Sequence, residues 1–332
     1  MRFDVRFSNF LYYQWRRSNW VLLLQRLYSN YIECAIRDPI FLLGNQGGGL
    51  TLISRMLRRQ DGVVSVTGGR EYWAGADEMQ NVMRCRLPRT LRLGGRFWCR
   101  DYPHERFSPP RSWSYAADDL IDAYRNTQAD YTEESARKLR FLIQEALHRF
   151  GDGESDKRFV DKSQVFTVKM SYVNALLKDT NPYFVLITRN PYAACYRAAK
   201  GKAGDMKRYA SFLSLDERME VCVQHWSNAM RCALEDRDKV SNFKAMRFED
   251  FLREPRASLM TLCEFLDLPF LEDMIPSEHH QLPLGSKYRD RWYPLRTDVN
   301  KPYLEEIPDK YIAMVEKRCQ PIAEHFGYSS PR

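Results

Sequence analysis

"PIFLLGNQGGGLTLISRML", residues 39–57, decides the fold. Ile40 to Leu43 form an apolar run short enough for a buried strand. Gly47, Gly48 and Gly49 then release the backbone, and Leu52, Ile53, Met56 and Leu57 recur at helical spacing. Strand, glycine loop and helix in that order suit a turn that wraps a phosphate, because the first N–H groups of a helix have no intrahelical partner and can face an anion. Set against the Walker pattern, Gly44 and Gly49 fall in place and Thr51 supplies the final hydroxyl. Leu50 stands where the lysine belongs. A loop of this shape must draw its positive charge from elsewhere.

Outward from this stretch, short apolar runs alternate with helical patterns. "GVVSV" (62–66) reads as a second strand, "RFVDK" (158–162) as a third, "YFVLITRNP" (183–191) as a buried strand cut off by Pro191, and "NFKAMRFED" as a further one. Between them, "TEESARKLRFLIQEALHRFG" is amphipathic, with Thr132 as N-cap and Gly151 as stop, and a helix is expected after Lys162, ending near Lys178. "LDERMEVCVQHWSNAMRCALE" and "REPRASLMTLCEFLDLPF" are also helical. This alternation predicts a three-layer α/β/α fold around a central parallel sheet, with ligands beyond the carboxyl ends of the strands, where the glycine loop lies. Residues 1–36 read as an N-terminal helical segment and 37–332 as one α/β domain. An irregular, aromatic and basic insertion at about 86–130 is expected as a lid over an acceptor, with residues 272–332 as a C-terminal lid and helix.

The chain has 332 residues and a net charge of +8, from 51 Lys and Arg against 43 Asp and Glu. That balance favours acidic ligands, while the dispersal of basic residues among acidic ones argues against a nucleic-acid polymer. Eight scattered cysteines without paired spacing read as small buried hydrophobes in a reducing compartment, and no metal pattern is visible among the Cys and His residues. The aromatic, basic start has no apolar run long enough for a signal peptide or a membrane span. A cytoplasmic protein is expected, with peripheral membrane contact through the N-terminal segment left open.

Four segments, "PIFLLGNQGGGLT", "RFVDKS", "YFVLITRNPYAACYR" and "MRFEDFLREPRASLMTLCEFLDLPF", with the tail "CQPIAEHFGY", resemble in order and spacing the sulfotransferases that use 3′-phosphoadenosine-5′-phosphosulfate (PAPS). The resemblance implies a nucleotide-kinase-like, P-loop-like core and metal-free sulfuryl transfer to a hydroxyl or amine, releasing adenosine 3′,5′-bisphosphate (PAP). It places the 5′-phosphosulfate against Gly47, Gly48, Gly49, Leu50 and Thr51. The family's loop cation falls at Gly47, so the charge is missing under this alignment as well. Lys162 is the candidate replacement, reaching the bridging oxygen or the sulfuryl group. Arg189 is assigned to the 3′-phosphate. Arg197 stands where the family has a serine and is a candidate second phosphate contact. Phe248 is expected either against adenine or, as an apolar strand residue, in the core. Lys287 and Arg289, with Arg291, are further phosphate candidates in the C-terminal lid. Glu71, after the second strand, is the candidate base, with His104 in the insertion as the alternative. The acceptor, a small molecule, glycan or lipid-linked group, is expected beneath the insertion and the basic segment 198–209. Two other readings remain: a non-catalytic nucleotide- or glycan-binding relative with a degenerate loop, and an ATP-dependent phosphotransferase.

Overall fold

Five strands form one parallel sheet: β1 (Ile40–Leu43), β2 (Val63–Val64), β3 (Arg158–Asp161), β4 (Tyr183–Thr188) and β5 (Asn242–Arg247), in the order β2-β3-β1-β4-β5. The computed structural model describes residue 11 and residues 34–66, 68–70, 78–82, 114–151, 156–202, 206–280 and 292–332. Strand β1 is central and wholly buried, pairing Ile40 with Val160 of β3 on one side and with Tyr183 of β4 on the other. The second strand is shorter than its sequence pattern, because Ser65 already turns to bridge with Gly68.

The period of two along the strands sends alternate side chains into two separate cores. Ile40, Leu42, Val160, Val185 and Ile187 face one side. They meet α1 (Leu50–Leu57) and two later helices, α6 (Phe248–Arg253) and α7 (Pro255–Leu266). Phe41, Leu43, Phe159, Phe184 and Leu186 face the other. There they pack against α2 (Glu133–Phe150), α3 (Met170–Leu176), α4 (Pro191–Arg197), α5 (Leu215–Asp236) and α8 (Asp309–His325). The Phe41 ring stacks on Phe184 at 5.5 Å and meets Phe166 edge-on at 6.0 Å. The result is the three-layer α/β/α arrangement expected from the sequence.

Local chemistry explains the helix boundaries. The Thr132 hydroxyl accepts from Ser135 N at 3.3 Å, and Glu133 and Glu134 complement the positive end of α2, which stops at Gly151. Ser214 and Glu217 close a reciprocal capping box on α5. Asn190 caps α4 by accepting from Tyr192 N and Ala193 N, and Pro191 occupies the first turn. After Lys162 the chain forms a 3₁₀ turn (Gln164–Val168) before α3, so one expected helix is two short ones. Phe248 is the first residue of α6 rather than a strand residue, since β5 ends at Arg247.

Of the eight cysteines, Cys195, Cys222, Cys232, Cys263 and Cys319 are buried free thiols. Among the described residues no helix is long and apolar enough to cross a membrane. The N-terminal segment, apart from Leu11 and residues 34–36, and most of the insertion lie outside the described residues.

Candidate functional site

The loop after β1 is flanked on both sides by strand ends, because β1 lies between β3 and β4. The chain leaving β3 carries Lys162 and the chain leaving β4 carries Arg189, so both reach the carboxyl edge beside the loop. The loop is held from below. Gly44 N donates to the Thr167 hydroxyl at 2.8 Å, and that hydroxyl donates back to Gly44 O at 3.3 Å. Gly48 N donates to Asn45 O at 2.9 Å, closing a turn within the loop. Gly48 therefore uses its N–H internally. The first helical hydrogen bond is donated by Leu52 to Gly49 O, so the N–H groups of Leu50 and Thr51 lie ahead of the ladder at the positive end of α1.

Gly49 has φ +89°, and a Cβ there would fall 2.0 Å from the Phe248 ring. Backbone conformation and space both require glycine. Phe248 is 7% exposed, belongs to the core beside α1, and lies with its ring on the loop. This is the core packing expected of it, beside the loop. The Arg189 guanidinium stands 5.6 Å from the centre of the same ring, within cation–π range.

Arg189 is 6% exposed and fixed by three acceptors. Nε donates to Asn300 Oδ1 at 2.8 Å, Nη1 to Gly47 O at 2.6 Å and Nη2 to Val299 O at 3.2 Å. Behind it, Glu249 Oε1 accepts from Asn300 Nδ2 at 2.6 Å and from Asn190 N at 2.9 Å, while Oε2 accepts from the Tyr328 hydroxyl at 2.9 Å. Trp226 Nε1 donates to Arg189 O at 3.1 Å. Burial, and then the positive charge of Arg197, pull the Arg189 guanidinium down to about 10, with Glu249 opposing that shift. The C-terminal segment thus reaches the site through Val299, Asn300 and Tyr328.

Lys162 is 1% exposed and pairs with Glu78 Oε1 at 2.9 Å. Glu78 also accepts from Gln80 Nε2 at 2.5 Å and Gln164 Nε2 at 3.2 Å. Asp161, one residue before the lysine, accepts from Met79 N and Ser163 N, both at 2.8 Å, which pins residues 78–80 to the end of β3. Burial pushes the Asp161 carboxyl up to about 6 against those donors. Lys162 is therefore a buried, ion-paired group rather than a solvated strand-end lysine.

Glu71, His104, Lys287, Arg289 and Arg291 lie outside the described residues. Arg70, the neighbour of Glu71, pairs with Asp273 at 2.5 Å, and Asp273 also binds Arg59 at 2.6 Å and His280 at 2.8 Å. Within the insertion, Tyr115 is an anchor: its hydroxyl donates to Gln164 O at 2.6 Å and its ring meets His225 edge-on at 4.6 Å. His225 is buried, and desolvation holds its imidazole down at about 3, hence neutral.

Sequence reasoning missed Glu78, Glu249, Asn300, Tyr328 and Thr167. Glu249 lies within the quoted "RFED" and was open to notice. Glu78 stands 84 residues from Lys162, and nothing in its local pattern marks the pairing.

Residues 39–273 match the model of a family described as the sulfotransferase family. No curated protein sequence matches the chain. Among solved structures, the chain is similar to the sulfotransferase STF9 from Mycobacterium avium, with TM-score 0.56 and 13% identity over 92% of this chain and 82% of that one. It is also similar to STF1 from Mycobacterium tuberculosis, with TM-score 0.51 and 16% identity over 76% and 74% of the two chains. The sulfotransferase domain from the curacin biosynthetic pathway matches with TM-score 0.50 and 14% identity over 89% and 99%. These likenesses carry the fold, and the family match spans most of the sequence, so the chain belongs to the sulfotransferase family.

Proposed function

We propose that the protein transfers a sulfuryl group from PAPS to a hydroxyl or amine. The observation that supports this most is the convergence of three features at one sheet edge. These are the glycine loop at the start of α1, a buried lysine after β3, and a buried arginine after β4 with a second arginine on the following helix. Bound PAPS supplies the sulfuryl group on a phosphate leaving group. The N–H groups at the start of α1 and the loop bind the 5′ end, and Arg189 binds the 3′-phosphate with the planar fork that suits it. Lys162 neutralises negative charge gathering on the leaving oxygen as the acceptor's nucleophilic atom bonds to sulfur and the sulfur–bridging-oxygen bond breaks. The acceptor's proton passes to a base, for which Glu71 is the candidate and His104 the alternative.

The site's residues fit this donor. Lysine has three donors, so Lys162 can keep Glu78 while addressing a ligand oxygen. The test is PAP formation from PAPS in the presence of a chelator, with a panel of phenolic, sugar and amine acceptors. Acceptor-dependent PAP release unaffected by chelation supports the proposal. Transfer that requires ATP and magnesium overturns it in favour of a phosphotransferase.

A further inference from the structure

The loop's missing charge and the unexpected arginine on α4 meet at one point. Gly47 has φ +84°, and a Cβ built there would come within 2.7 Å of Arg197 Nη1. Gly47 O accepts from Arg189 Nη1 at 2.6 Å. Two guanidinium groups therefore flank a single loop residue, one against its carbonyl and one in the space a side chain would fill. Arg197 is half-buried in the last turn of α4, eight residues after Arg189. Its charge is the second largest cause, after burial, of the lowered proton affinity of Arg189. Two like charges raise each other's free energy, and an anion bound beside either one relieves it. The carboxylate opposing that shift, Glu249, already accepts from Asn190, Asn300 and Tyr328.

We propose that Arg197 supplies the cation the loop lacks, reaching the 5′-phosphosulfate from α4 through the space left open by Gly47. This rests on the PAPS reading above. It departs from the resemblance, which puts residue 197 with the 3′-phosphate. The positive charge stands on the facing helix instead of the loop, and glycine at 47 leaves the arginine's guanidinium room to lie there. A side chain at 47 would push the Arg197 guanidinium, the flexible end of its side chain, out of this place, and would itself be strained at positive φ.

The assignment is tested by titrating 5′-AMP, 3′-AMP and PAP into the wild type, Arg197→Ala, Arg197→Lys, Gly47→Lys and the Gly47→Lys/Arg197→Ala double variant. Loss of one charge-assisted contact predicts that Arg197→Ala weakens 5′-AMP and PAP about tenfold to hundredfold. Affinity for 3′-AMP should stay within about twofold of wild type. Arg197→Lys should fall between the two. Gly47→Lys alone should weaken 5′-AMP, whereas the double variant, with the space vacated, should bind it more tightly than Arg197→Ala. If Gly47→Lys does not fold, the two Arg197 variants decide alone. Selective loss of 3′-AMP in Arg197→Ala would overturn the assignment and leave the PAPS reading standing. A wild type that binds none of the three nucleotides overturns both.

Discussion

Replacing Lys162 separates its structural role from its chemical one. At 2.9 Å from Glu78 Oε1, the gross Coulomb attraction is about 6 kcal/mol at an effective dielectric of about 20. Desolvation offsets much of that, but removing one partner strands the other's charge in the interior, which costs about 3–5 kcal/mol. Glu78 keeps its amide donors, Gln80 at 2.5 Å and Gln164 at 3.2 Å, so Lys162→Ala is expected near the lower end, about 3 kcal/mol. Turnover should fall on the order of a hundredfold or more, as when one transition-state donor is removed. The Lys162→Ala/Glu78→Gln double variant removes both charges and should recover most of the stability and none of the turnover. The assays are urea unfolding and the initial rate of PAP formation on the same preparations. Recovery of turnover in the double variant would show that Lys162 serves only to neutralise Glu78. Unchanged stability in Lys162→Ala would refute the buried pair.

Glu71→Gln should lower turnover roughly a hundredfold to ten-thousandfold while PAP affinity is unchanged; a near-normal rate moves the base to His104 or to the acceptor. Gly49→Ala should destabilise more in the wild type than in a Phe248→Ala background, where the ring 2.0 Å from the new Cβ is gone; equal losses by thermal melting would deny that contact. Asp236 is wholly buried, and its desolvation is outweighed only by the sum of its bidentate Arg125 bonds at 2.6 and 2.8 Å, the Ser171 N–H and Lys239, which together hold its pKa down. Its stabilisation is present above the unfolded carboxyl pKa and lost as pH falls through the lower folded value, so Asp236→Asn should cost most near neutrality and the deficit should narrow in acid. Asp161 has the opposite sign: with its folded pKa raised to about 6, its contribution is full below the unfolded value and falls as pH rises through about 6. The melting gap between wild type and Asp161→Asn should therefore be wider at about pH 4 than at about pH 7.

The layers and the sheet edge were legible because they rest on local patterns. The apolar Ile40–Leu43 run, the glycines after it and the alternation of strands with capped helices each follow from short-range physics. The position of Arg189 was legible for the same reason, since a strand cut off by proline delivers its last residues to the carboxyl edge. What holds these side chains was not. Glu78, Asn300 and Tyr328 come to the site through long-range packing, and isolated polar residues carry no periodicity to announce them. Phe248 shows how adjacency misleads: it continues an apolar strand pattern, yet its backbone has already turned into α6. Arg197 was a candidate phosphate contact by its position alone, and its approach to Gly47 on the loop is a long-range placement that local pattern does not announce.

The central claim is that the loop and Arg189 together recognise a nucleotide phosphorylated at both the 3′ and 5′ positions. Calorimetric titration of the full chain with PAP, 5′-AMP and ATP, each with and without magnesium, tests it directly. PAP should bind at least about tenfold more tightly than 5′-AMP, the worth of one charge-assisted phosphate contact, with no effect of magnesium on the ranking. Tightest binding by ATP with magnesium, or equal affinity for PAP and 5′-AMP, would contradict it.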